Sequence, residues 1–233
     1  MTQTLLIESR YCGPPQSGNG GYTCGRLAAL LPPGPVEATL RLPPPLDHLM
    51  PVIARQDGSL ALMDGDRLIA EARSSSLEIV IPSPPDMTET EAAVPRYAGF
   101  RHHAFPTCFV CGPQRRSGDG LRIFAGAVAG KNLVAAPWTP HASLADGQGK
   151  IRPEYLWAAL DCPGAFAVGD RQNPVVLGRM TARINAAVFP GETYRVVGWV
   201  IDQEGRKATA GTALFAANGA CCAVASAVWI ELR

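Results

Sequence analysis

The chain has 233 residues, 47% of them hydrophobic and 18% charged, enough to bury a sizeable core in one large domain or two small ones. A formal net charge of +1, with only Arg115-Arg116 and Arg206-Lys207 as adjacent basic pairs, excludes the electrostatic footprint of a nucleic-acid or anionic-membrane binder. Seven cysteines, an odd number with Cys221-Cys222 inside an apolar run, argue against a secreted disulfide scaffold and for reduced thiols in a cytoplasmic protein.

In chain order, the first eight residues carry no basic segment ahead of a long apolar run, so no signal peptide is read there. No stretch approaches the roughly 18 consecutive apolar residues of a membrane span. The first helix signal covers 21–31, where Leu27, Leu30 and Leu31 give an apolar side and Pro32-Pro33-Gly34 stops it. Short β-like runs follow at 36–42, 52–55 and 60–63, then a longer strand over 68–81. The turns between them hold Asp57-Gly58 and Asp64-Gly65, which are hairpin signals. Residues 83–105, with several prolines among Asp, Thr and Glu, read as a linker with little regular structure.

The grammar then repeats. Residues 106–151 carry Cys108-x-x-Cys111 and β-like runs at 121–128 and 132–138. A second helix signal covers 153–168, with Leu156, Trp157, Leu160 and Phe166 apolar. Pro153 suits its first position and Glu154 complements its positive end, while Pro163-Gly164 would kink it late. Strands follow at 175–188, 194–201, 208–217 and 221–232, separated by Pro190-Gly191, Glu204-Gly205 and Asn218-Gly219. The class is α+β: a helix followed by an antiparallel meander, twice, with repeats at 1–82 and 106–233. A curved sheet buries one face on its helix, and two such units can join edge strands into one sheet.

Cys108-Phe-Val-Cys111-Gly-Pro113, followed by Gly120-Leu-Arg-Ile-Phe124, resembles the opening of many single-repeat hotdog thioesterases. In that family a His-Gly-Gly opens the central helix, and an Asp or Glu stands nine residues after the His. Here Arg152-Pro153-Glu154 occupies the second helix start, and Asp161 stands nine residues after Arg152. In the first half Asn19-Gly20-Gly21 resembles His-Gly-Gly, and Ala28 holds the position of the acid. The layout is also similar to the medium-chain acyl-CoA thioesterases with fused hotdogs, whose second repeat carries an Asp on its helix. The resemblance implies a double hotdog forming a pseudo-dimer. It also implies hydrolysis of an acyl-CoA thioester to free acid and CoA, with no cofactor beyond the CoA of the substrate.

That chemistry needs donors facing the carbonyl oxygen as it gains charge, and a carboxylate as nucleophile or as base for water. Backbone N–H groups at a helix start supply the donors, and glycines let the thioester approach them. A donor at the helix start and an acid eight residues on stand about 12 Å apart on one helix, at 1.5 Å per residue. Each site must therefore combine the helix start of one repeat with the acid of the other. Gly20 and Gly21 with Asp161 make one complete site, with Asn19 in place of the family His. The other would pair Pro153, which lacks an N–H, with Ala28, which lacks a carboxylate, and is expected to be dead.

Gln16 is a further candidate for contacting the water or the carbonyl. Trp157 and Phe166, on the helix that carries Asp161, are candidates for the acyl tunnel, and Arg206 and Lys207 for the CoA phosphates. Cys108 and Cys111, with His102 or His103, could form half of a zinc site, but no second Cys-x-x-Cys exists, so the pair reads as a packed knuckle turn without metal. Two other functions compete. One is a non-catalytic acyl-CoA or lipid binder, since the Gln that the fused enzymes pair with their Asp is missing near the end of the chain. The other is an enoyl-CoA hydratase or dehydratase, faintly suggested by Asp170-Arg-Gln-Asn-Pro174 but without the expected His. A fused pair already satisfies the hotdog dimer, and such units also associate further into homo-oligomers.

Overall fold

The computed structural model describes residues 3–169 and 173–233. The first repeat contains β1 (Gln3–Leu6), α1 (Gly20–Ala28), β2 (Val36–Leu40), β3 (Leu49–Ala54), β4 (Leu60–Asp64) and β5 (Arg67–Ser74). After a connection that contains α2 (Met87–Ala93), the second holds β6 (Gly126–Ala127), β7 (Val134–Trp138), α3 (Pro153–Ala159) and α4 (Cys162–Ala167). It closes with β8 (Val175–Ile184), β9 (Tyr194–Glu204), β10 (Lys207–Phe215) and β11 (Cys221–Glu231).

All eleven strands form one sheet in the order β1-β3-β4-β5-β2-β8-β11-β10-β9-β7-β6. The expected union of the two units occurs at its middle. There β2 pairs antiparallel with β8, with Ala38 opposite Met180 and Thr39 opposite Arg179. Each edge that would lie open in an isolated repeat is satisfied by the other. The core lies between the sheet and the helices, where Tyr22, Leu27, Leu156 and Leu160 meet Ala38, Met50, Leu62, Met180 and Ala210.

The helices α1 and α3 cross the seam in close contact because α1 offers glycines there. A Cβ on Gly21 would stand 2.7 Å from the Trp157 carbonyl, and one on Gly25 would stand 2.7 Å from Glu154 Cα. Positions 21 and 25 thus face 157–161 and 154–157 in reverse order, so the two helices run antiparallel.

Several expectations need correction. The first helix ends at Ala28 rather than 31, because Leu30 and Leu31 tighten into bonds to Leu27 and Ala28. The strand expected over 68–81 stops at Ser74. Beyond it the alternation is real but serves packing: Leu77, Ile79 and Ile81 pack on the outer face of the second repeat beside Val197, Trp199 and Phe215, while Val80 is 88% exposed. The linker is not devoid of structure either. Asp86 and Glu89 form a reciprocal capping box that starts α2, and Arg195 reaches across to the Pro85 carbonyl. The β-like run at 121–128 reduces to the two-residue β6, and β1, which pairs with β3, was not anticipated.

The second helix breaks earlier than expected. Pro163 has no N–H to return to the Ala159 carbonyl, so the helix ends before the proline rather than at it. The break falls at Leu160-Asp161, where Asp161 takes φ −75° and ψ −80° as the cap of α4.

Candidate active site

Asp161 sits at this break between α3 and α4, and α1 presents its start to it. Asn19 caps α1, its Oδ1 accepting from the Tyr22 N–H at 2.9 Å. That fixes the amide so that Nδ2 donates to Asp161 Oδ2 at 2.8 Å. The Gly21 N–H donates to the same oxygen at 2.9 Å. The donor of one repeat and the acid of the other therefore meet across the seam, as the spacing argument requires.

The pair is shut in this structure. Asp161 is only 2% exposed, and its Oδ1 is buried with no hydrogen-bond partner. Burial, with the Cys108 side chain nearby, raises its pKa to about 7 against the lowering effect of Gly21 and Asn19. Carboxyl and carboxylate are both accessible near neutrality. At the position that the resemblance gives to a His, the Asn19 amide is thus a donor to Asp161.

The remaining candidates fall in different places. Gly20 opens α1, but a Cβ there would meet Leu177 and Leu40 rather than Asp161. Gln16 lies exposed in the preceding turn, outside the Asn19–Gly21–Asp161 group. Trp157 is buried between α1 and α3, against Gly25, and so serves the helix interface. Phe166 is partly buried and packs against Tyr97 at a tilt of 55°, with ring centres 4.5 Å apart. Arg206 is committed to the Glu231 carbonyl through two hydrogen bonds, while Lys207 is exposed on the same hairpin. Residues 170–172 of the hydratase-like stretch lie outside the described residues.

At the other pairing, Pro153 occupies the first position of α3, and Ala28 is buried. Tyr155, on the first turn of α3, packs there against Tyr11, Tyr22 and Phe109. A cleft of about 560 Å³ opens nearby, lined by Arg10, Phe109, Arg122, Trp138 and Leu144 among others; its lining includes neither Gly21 nor Asp161.

One contributor was not read from the sequence. Thr212, fully buried on β10, donates its hydroxyl to the Leu160 carbonyl at 2.7 Å. A Thr in an apolar strand run carries no local signal for such a role. A second surprise is Cys162, which follows Asp161 and brings its sulfur within 4.8 Å of those of Cys108 and Cys111.

No family model and no curated relative matches the sequence. Solved structures do match across nearly the whole chain. A proposed thioesterase of Novosphingobium aromaticivorans is 12% identical with a TM-score of 0.64, covering 99% of this chain and 95% of that one. The tesB protein of Mycobacterium avium subspecies paratuberculosis is 12% identical with a TM-score of 0.61, covering 99% and 92%. A protein of unknown function with a hotdog fold from Alicyclobacillus acidocaldarius gives the same four values. The fold is thus the double hotdog that the resemblance implied. No helix among the described residues is long and apolar enough to cross a membrane.

Proposed function

We propose that the chain is a thioester hydrolase acting on an acyl-CoA through the single composite site of Asn19, Gly21 and Asp161. The observation that carries this reading is the hydrogen bond from the Gly21 N–H to Asp161 Oδ2 across the repeat seam. The hotdog fold shared with proteins named as thioesterases adds to it.

In this reading the thioester carbonyl displaces Oδ2 and takes the Gly21 N–H. The released Asp161 carboxylate then stands beside the carbonyl, where it can accept a hydrogen bond from a water poised on the carbonyl carbon. Acting as base, it removes a proton from water as the hydroxide adds to the carbonyl carbon. The oxyanion is held by Gly21 and the Asn19 amide. The C–S bond breaks, and the departing CoA thiolate takes the proton back from Asp161. The alternative is a binder of acyl-CoA without turnover. It is favoured by one observation: the donors that a carbonyl would need are already taken by a buried carboxylate.

Free thiol release from a panel of acyl-CoAs, by wild type and Asp161→Asn, separates the two. Turnover by wild type that the substitution lowers by about 100-fold or more supports the hydrolase. Saturable binding without thiol release by either protein would leave the binder.

A further inference from the structure

Three cysteines from two distant parts of the chain converge beside the Asn19–Asp161 pair. Cys108 and Cys111 lie on a tight knuckle. Its turn is closed by the Gly112 N–H on the Cys108 carbonyl at 2.9 Å. A Cβ on Gly112 would stand 2.6 Å from that carbonyl, so the knuckle requires glycine there. Cys162 comes from the start of α4. All three are buried, and their sulfurs lie within 4.8 Å of one another.

The distances distinguish the arrangements open to three sulfurs. A disulfide needs sulfurs about 2.05 Å apart, whereas Cys108 and Cys162 are 3.7 Å apart. Tetrahedral zinc, with Zn–S bonds of about 2.3 Å, sets sulfurs about 3.8 Å apart. Cys108 and Cys162 already stand at that separation, and Cys111 is within a small side-chain adjustment of it.

Hydrogen-bond donors converge on these sulfurs in the manner of an outer shell around thiolates. Asn19 Nδ2 lies 3.9 Å from the sulfurs of both Cys108 and Cys162. His103 Nε2 lies 3.3 Å from that of Cys111. The Phe105 N–H donates to His103 Nδ1 at 2.9 Å, which places the ring proton on Nε2, facing the sulfur. Three buried sulfurs so close together, with no Lys or Arg among the described residues hydrogen-bonded to any of them, form a set that one metal ion would draw together.

We propose that Cys108, Cys111 and Cys162 bind one zinc ion as thiolates. His103 and Asn19 support them from outside the coordination shell, and a ligand from solvent supplies the fourth position. Soft thiolates select zinc among the common divalent ions. The ion would staple the knuckle at 108–112 to α4 and so hold the helix break that carries Asp161. Binding releases the thiol protons to solvent, with no change of oxidation state. The proposal stands apart from the thioesterase reading, since a structural staple serves a binder equally well.

The test is metal analysis of the intact chain, purified under reducing conditions from zinc-supplemented culture. About one zinc per chain is expected. Replacement by cobalt should give a sulfur-to-metal charge-transfer band. Cys162→Ser and Cys108→Ser should lose the metal, and Cys221→Ser, on the distant β11, should retain it. His103→Ala should weaken zinc affinity by about 10–100-fold without abolishing it. Should the serine variants fail to fold, stripping wild type with a chelator should lower its Tm, and added zinc should restore it. Negligible zinc together with no cobalt band, stoichiometry unchanged in Cys162→Ser, or a Cys108–Cys162 disulfide in the reduced protein would each overturn the proposal.

Discussion

Thr212 Oγ1 donates to the Leu160 carbonyl at 2.7 Å, the last backbone acceptor before Asp161 turns away from the helix. Because Pro163 interrupts the ladder, this part of the helix end relies on side-chain donors. Thr212→Val keeps the shape and leaves a buried carbonyl without its donor, at a cost of about 1–3 kcal/mol. The loss should appear as a lower urea midpoint with unchanged m. Thr212→Ser should recover most of it. Equal stability of the valine and serine variants would show that the hydroxyl does not hold the break.

Asp161→Asn tests the chemistry with little change in shape. The asparagine oxygen can still accept from Gly21 and Asn19, so the fold should survive with a Tm close to that of wild type. Thioester hydrolysis should nevertheless fall by about 100-fold or more, since an amide can neither take a proton from water nor attack the carbonyl. Comparing kcat/KM with CoA-ester affinity for both proteins decides the matter. Retained turnover in a folded variant would remove Asp161 from the mechanism.

The pairing of Gly21 with Asp161 was legible because a straight helix cannot bring its own start to a residue eight positions on. Helical rise alone demanded a partner from the other repeat. The Asp-Gly and Asn-Gly turns likewise marked the meanders, and the edge-strand argument anticipated the β2–β8 seam. Other features had no local signature. Leu77, Ile79 and Ile81 alternate as a strand does, but alternation reports which face is buried, not whether a ladder partner exists. Cys162 lies 54 residues from Cys108, and nothing at 162 alone points to the knuckle. Trp157 looked like a candidate for a tunnel because apolar residues beside an acid suggest a pocket. The close helix approach permitted by Gly25 gave that ring a packing role instead.

That approach makes a comparison of two glycines informative. A Cβ on Gly21 would lie 2.5 Å from Asp161 Cβ, and one on Gly25 would lie 2.7 Å from both Glu154 Cα and Trp157 Cβ. Alanine at either position should force α1 and α3 apart and destabilise the fold by about 1–3 kcal/mol. The two should part in activity, because only position 21 supplies the N–H that faces the acid. Gly21→Ala should therefore lose more kcat/KM than Gly25→Ala at matched stability loss. Parallel urea melts and kinetics would show this, and equal kinetic losses would argue against a special role for the Gly21 donor.

On the sheet's outer surface, Glu71 receives Arg41 and Arg55 together. The Arg41 guanidinium, joined by Arg55, holds its carboxyl below the usual value against the opposing effect of burial. A carboxyl whose pKa is lower folded than unfolded adds stability above the unfolded pKa, and that contribution disappears as pH falls through the folded pKa. Because the group is close to solvent, the effect is at most about 1 kcal/mol. Glu71→Gln should thus be less stable than wild type at pH 7, and the difference should close as the pH falls through the lowered folded pKa of Glu71. It should also shrink in high salt, as screening weakens partly exposed ion pairs. A difference that stays constant from neutral to acid pH would assign the cost to lost packing rather than charge.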